Sequence, residues 1–252
     1  MQSATKLYQV DSAAAYRNES ACGKAILKSG VPREDIFFTS KIPPRRLGYN
    51  NTKAQVEKTL RESGLGYVDL MLLHAPYGGP AARKGAWKAL VEAQEEGKIR
   101  SLGISNYGVH HLDELEMHIK ELEEERGQGR AGVISVHQLE LHPWLTRRDI
   151  VQWCEKRGVV LEAYCPLVRN TRSDDKLLLP LVKKYGKTAT QILLRWSLQK
   201  GFVPLPKSVT PSRIEENANI YDFELTAEDM ETLETGDYSP CAWDPTVATL
   251  DQ

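Results

Sequence analysis

The chain has 252 residues, 41% hydrophobic and 27% charged, a balance that suits one globular domain, residues 1–252, of barrel size. A formal net charge of -1 excludes a whole-chain field for nucleic acid or an anionic membrane, so any anion site must be local. Four scattered cysteines (Cys22, Cys154, Cys165, Cys241) with no CxxC pair, and no apolar run near the ~18–20 residues of a membrane span, argue against a disulfide framework, a zinc motif and a leader, and point to the cytoplasm. In chain order, short apolar runs at residues 8–11, 36–41, 68–74, 99–105, 133–140, 159–164 and 202–207 read as seven strands. Their near-continuous hydrophobicity fits strands buried on both faces of a parallel sheet. Amphipathic segments at 52–63, 85–96, 145–157 and 188–200 read as intervening helices, and the acidic stretch 112–126 keeps Leu112, Leu115, Ile119 and Leu122 at helical spacing, so its charges are a solvated face.

Strand–helix alternation with no Pro/Gly/Ser-rich linker defines an α/β architecture. The residues assigned to strand C-termini are Asp11, Lys41, His74, Ser105, Gln138, Tyr164 and Lys207. In a (β/α)8 barrel of the TIM type that end carries the chemistry, so polar residues ending apolar strands are candidate site residues. A Rossmann sheet is the rival, but neither GxGxxG nor a Walker loop occurs.

The segments VDSAAAY, FTSK and LLH resemble the aldo-keto reductase family, in which an Asp, a Tyr, a Lys and a His form a catalytic tetrad. GISNYG (103–108), HQLELHP (137–143), EAYCPL (162–167) and PLPKSVTPSRIEENANIYDFEL (204–225) extend the likeness over essentially the whole chain. The resemblance implies NADPH-dependent reduction of an aldehyde or ketone, with Asp11, Tyr16, Lys41 and His74 as the tetrad. Carbonyl reduction needs a hydride for carbon and a proton for oxygen. Tyrosine, with a pKa of about 10, needs a nearby cation to donate near neutrality. Lys41 would be that cation, Asp11 would pair with it and hold it, and His74 would polarise the carbonyl oxygen or share its proton. Taken singly, Asp11 and Lys41 would be a strand-end ion pair, His74 a cap and Tyr16 a residue in the first turn of a helix.

Cofactor contacts follow from the same resemblance. Ser105, Asn106 and Gln138 would hold the nicotinamide carboxamide, Tyr164 would stack on the ring, and Leu167 would lie beside it. Lys207, Ser208, Val209, Thr210 and Arg213, ahead of a helix beginning near Pro211, read as a phosphate site that favours NADPH/NADP+ over NADH, with Glu216 and Asn217 at the adenine. His74, Ala75, Trp144 and Trp243 are the expected substrate pocket, which a short glycine-rich loop after His74 would leave open. The expected partner is a small carbonyl compound, with no nucleic acid, membrane or metal, and the expected state a monomer.

Members of the family carry an N-terminal hairpin and a first strand and helix ahead of VDSAAAY. The resemblance therefore implies a barrel lacking its first βα unit, with residues 1–8 as the tail of the first helix, seven strands and two unpaired edges. Weak activity is expected on that basis, and the alternative function is a non-catalytic nicotinamide-binding barrel. A metal-dependent hydrolase needs converging ligands that the histidine spacing does not provide.

Overall fold

A computed structural model describes residues 8–252. All seven expected strands are present in it: β1 (Gln9–Asp11), β2 (Phe37–Ile42), β3 (Val68–Leu73), β4 (Ile99–Ser105), β5 (Val136–Glu140), β6 (Val160–Tyr164) and β7 (Val203–Leu205). They follow chain order in the sheet. Helices α1 (Glu19–Lys28), α2 (Tyr49–Ser63), α3 (Gly79–Glu95), α4 (Val109–Arg126), α5 (Arg148–Glu155), α6 (Leu178–Tyr185), α7 (Ala189–Gln199), α8 (Pro211–Ala218) and α9 (Ala227–Thr232) alternate with them. Residues 1–7, where the tail of a preceding helix was expected, lie outside the described residues. The described chain divides into two compact units, one of residues 8–137 with 245–252, the other of residues 138–244.

In the first unit β1, β2, β3 and β4 pair in parallel, in the register Asp11 with Thr39, Lys41 with Leu72 and Leu72 with Gly103. Every residue of β3 is buried, and β2 is buried from Phe38 onward, which is why these segments read as unbroken apolar runs. The core gathers Leu70, Leu72 and Val136. Gly103 belongs to this packing: a Cβ there would stand 2.5 Å from the Val136 carbonyl oxygen and 2.7 Å from a Leu72 methyl. In the second unit β6 pairs in parallel with β7 through Tyr164 and Leu205, and Leu161, Ala163, Leu194 and Trp196 fill the interior. The end strands β1 and β7 are only half-buried.

Three expectations change. Gln138 sits inside β5, two residues short of its end, because the strand runs on to Glu140. The loop after His74 is shorter than APYGGPAARKGAW, since α3 starts at Gly79 with Pro80 in its first turn, where a missing N–H costs nothing. Tyr16 lies on a separate 3-10 turn, Ala14–Tyr16, ahead of α1 rather than on a helix.

Candidate active site

The first unit assembles the four tetrad candidates. Parallel pairing of β1 with β2 sets their C-terminal ends side by side, and Lys41 Nζ donates to both Asp11 carboxylate oxygens at 2.9 and 2.7 Å and to the Ser12 carbonyl at 2.8 Å. The Lys41 side chain is fully buried and that of Asp11 is 20% exposed, so the ammonium has exchanged its water for a complete set of acceptors. Ser12 Oγ donates to Asn18 Oδ1 at 2.7 Å, closing the loop that carries Tyr16. On that loop the Tyr16 ring centroid is 4.9 Å from Lys41 Nζ and 5.7 Å, edge to face, from the His74 ring. Tyr16 is half exposed. Ser40, next to Lys41, donates from Oγ to the buried Glu19 carboxylate at 2.6 Å and fixes the start of α1 to β2.

His74 follows β3 directly and is 9% exposed. Burial first, and the Lys41 charge second, lower its pKa from 6.5 to about 3, so it is a neutral imidazole in the physiological range. A neutral ring can donate a hydrogen bond to a carbonyl oxygen without contributing full charge. Buried His111 is likewise lowered to about 3, first by burial and then by His110. The native protein thus binds fewer protons than the unfolded chain once the pH falls below 6.5. Stability is expected to fall by up to about 1.4 kcal/mol per pH unit for each histidine, beginning below about pH 6.5. Tm measured from pH 7 to 5, in the protein and in His74→Gln, checks this; a flat profile in both counts against buried neutral histidines.

Ser105 ends β4 and Asn106 follows it, beside His74. Asn106 takes φ 63°, a left-handed conformation asparagine tolerates, and donates from Nδ2 to the His74 carbonyl and to Ser105 Oγ, each at 3.0 Å. Ala75 is wholly buried. Arg83, 1% exposed, pairs with both Glu114 oxygens and donates to the carbonyls of Pro76 and Leu250, tying the segment after His74 to the C-terminal residues.

The second unit holds the remaining candidates. Gln138 is buried and donates to Glu162 Oε2 at 2.8 Å. Sequence reading missed Glu162; its signal was the alternation of β6, which puts Glu162 and Tyr164 on one face. Tyr164 and Leu167 are half-buried, and burial raises the Tyr164 phenol, with the Glu140 charge adding to it. Lys207, Val209, Thr210 and Arg213 are exposed at the start of α8, and Ser208, Glu216 and Asn217 half-exposed. Thr210, the residue before α8, makes no side-chain cap bond there; Pro211 has no N–H and the Arg213 N–H donates to the Thr210 carbonyl at 3.1 Å, which leaves the Ser212 N–H of the first turn for another acceptor. Glu216 accepts from Thr188 Oγ1 at 2.6 Å. Trp144 does not offer a pocket wall: it is 1% exposed, and Arg172 stands 4.7 Å over its ring. Trp243 is 48% exposed.

Parallel strands alternating with helices, with an acid, a lysine, a tyrosine and a histidine collected at the strand C-termini, define an enzyme of the α/β barrel class. A model of the aldo/keto reductase family matches residues 7–236, and the chain belongs to that family. It is therefore an oxidoreductase of carbonyl chemistry with a (β/α)8-type fold. An uncharacterized oxidoreductase of Schizosaccharomyces pombe is 44% identical over 243 residues, covering 92% of this chain and 83% of that protein. The glyoxal reductase of Bacillus subtilis is 41% identical over 227 residues, covering 89% and 77%. Among solved structures, a Bombyx mori aldo-keto reductase in complex with NADP superposes with a TM-score of 0.77 at 29% identity, covering 91% of this chain and 78% of that one. Among the described residues no helix is long and apolar enough to cross a membrane.

Proposed function

We propose that the protein reduces the carbonyl group of a small aldehyde or ketone to an alcohol with NADPH, Tyr16 giving the proton. The observation that carries this reading is the buried Lys41 ammonium, held between the Asp11 carboxylate and the Tyr16 ring. When bound, NADPH supplies the hydride. The chain's own residues do the rest. Tyr16 transfers its phenolic proton to the carbonyl oxygen, Lys41 stabilises the phenolate left behind, and Asp11 keeps the ammonium in place. His74, neutral at working pH, directs an N–H at the same oxygen and orients it. Trp243, 48% exposed, would meet the apolar part of the substrate. The glyoxal reductase relative supports a small, reactive carbonyl as substrate.

The residues at α8 fit a phosphate. Lys207 and Arg213 are exposed cations that form no ion pair with a carboxylate among the described residues, and they flank the Ser212 N–H in the first turn of α8. Charge-assisted bonds from them would hold the 2′-phosphate, with Ser208 and Thr210 donating from their hydroxyls and the Val209 backbone following the same turn. The NADP complex of the Bombyx mori relative supports this assignment. Ser105, Asn106 and Gln138 would bind the carboxamide, Tyr164 and Leu167 would pack on the nicotinamide, and Glu216 and Asn217 would meet the adenine.

Arg213→Ala is expected to raise KM for NADPH about 10- to 100-fold, the worth of one charged hydrogen-bond pair, and to leave KM for NADH unchanged. Initial rates with both cofactors against a panel of aldehydes test the function and the cofactor choice together. Equal losses with NADPH and NADH would remove the phosphate assignment.

A further inference from the structure

Spacing along the chain gives no metal motif, yet the fold of the second unit brings three classical ligand types together. Glu140 closes β5, His142 follows two residues later, and Cys241 comes from a segment a hundred residues downstream; their ligand atoms all lie within 4.8 Å of one another. Two features fix this convergence. His142 Nε2 stands 2.9 Å from Glu140 Oε1, and the backbone N–H groups of Cys241 and Ala242 donate to the two Glu140 oxygens at 2.6 and 3.1 Å. Leu145 bridges to Tyr238, and Ser239 N–H donates to the Trp144 carbonyl at 2.9 Å, holding the incoming segment in register.

Glu140 brings an anionic donor into the interior beside a thiol and an imidazole. Glu140 and His142 are fully buried, and no lysine or arginine pairs with the carboxylate among the described residues; its ion-pair partner is His142, a cation only when protonated. Buried carboxylates are normally neutralised by a fixed cation or a metal. His142 Nδ1 is buried without a hydrogen-bond partner, and Nε2 is the ring nitrogen that faces the cluster. Cys241 is half-buried, which leaves the site reachable from solvent.

We propose that Glu140, His142 and Cys241 bind one divalent cation of the zinc class, which crosslinks the C-terminal segment to the end of β5. Thiolate, imidazole and carboxylate form a donor set suited to zinc, and three protein ligands leave a fourth position for water. On binding, the Cys241 thiol proton goes to solvent, the His142 proton shifts from Nε2, where it bonds to Glu140, to Nδ1 so that the neutral imidazole ligates through Nε2, and thiolate and carboxylate balance the two charges of the metal.

The test uses the full chain, reduced with a non-chelating phosphine and titrated with Co2+. One cobalt per chain with a thiolate-to-metal charge-transfer band, displaced by Zn2+, is expected. Cys241→Ser should lose that band, His142→Gln should weaken binding about a hundredfold, and Cys22→Ser should behave as the unaltered protein. Because the variants can lose stability, alkylation of Cys241 in the unaltered chain, followed by peptide mass spectrometry, provides a second reading: Zn2+ should slow it about tenfold. No charge-transfer band, a band that survives Cys241→Ser, or alkylation indifferent to Zn2+ would each overturn the site. None of these readings depends on turnover, so they stand apart from the fate of the proposed carbonyl reduction.

Discussion

Replacing Tyr16 with phenylalanine is expected to lower kcat for aldehyde reduction about a thousandfold, the middle of the range for a positioned general acid, and to leave NADPH binding unchanged. The substitution removes one hydroxyl from a half-exposed side chain and keeps the ring that lies over Lys41 and against His74. The fold therefore has no reason to respond, and a loss of turnover reports the missing proton. Steady-state rates with a fluorescence titration of NADPH separate the two effects. If kcat were retained, or if cofactor affinity fell in parallel with it, Tyr16 would not be the donor.

Asp11→Ala should have the largest effect on stability. It deletes two of the three acceptors around a fully buried ammonium and leaves the Ser12 carbonyl alone to meet it. Removing one partner of a buried ion pair costs about 3–5 kcal/mol, because the other charge stays behind unsolvated. The urea midpoint should drop accordingly. Pairing Asp11→Leu with Lys41→Met removes both charges and should recover most of that stability, since apolar side chains of similar size replace buried pairs well. Turnover should not recover, because the cation beside Tyr16 is gone. A single variant as stable as the parent protein would mean that the pair is hydrated in solution; a double variant with normal turnover would remove Lys41 from the chemistry.

Much of the architecture was legible because burial on both faces leaves a plain trace in sequence. The fully buried β3 reads as VDLMLL, and β2 and β4 show similar runs. The half-buried β7 was read too long, to Lys207, because nothing in the local pattern marks where its ladder stops at Leu205. Helix α1 carries small residues, ESACGKAILK, and no continuous apolar stripe. Its place is set by close approach instead: a Cβ on Gly23 would stand 1.8 Å from the Ser63 carbonyl oxygen at the end of α2, and Glu19 is anchored on Ser40. Those contacts join distant segments, and no window of residues records them.

The same division runs through the site. Chain order and residue type were enough to nominate Asp11, Lys41 and His74, because β1, β2 and β3 place polar residues at or just after their C-terminal ends, and the family motif nominated Tyr16. Sequence alone also determined the α/β class and the family, since both rest on local patterns repeated along the chain. What the tertiary structure decided was which groups meet. Parallel pairing of β1 and β2 seats the Lys41 ammonium between Asp11 and the Tyr16 ring; burial makes His74 neutral; Arg172 covers Trp144; and the return of the C-terminal segment puts Cys241 beside Glu140 and His142. The physical reason is that burial and electrostatics depend on distances through space, which the chain sets only once it has folded.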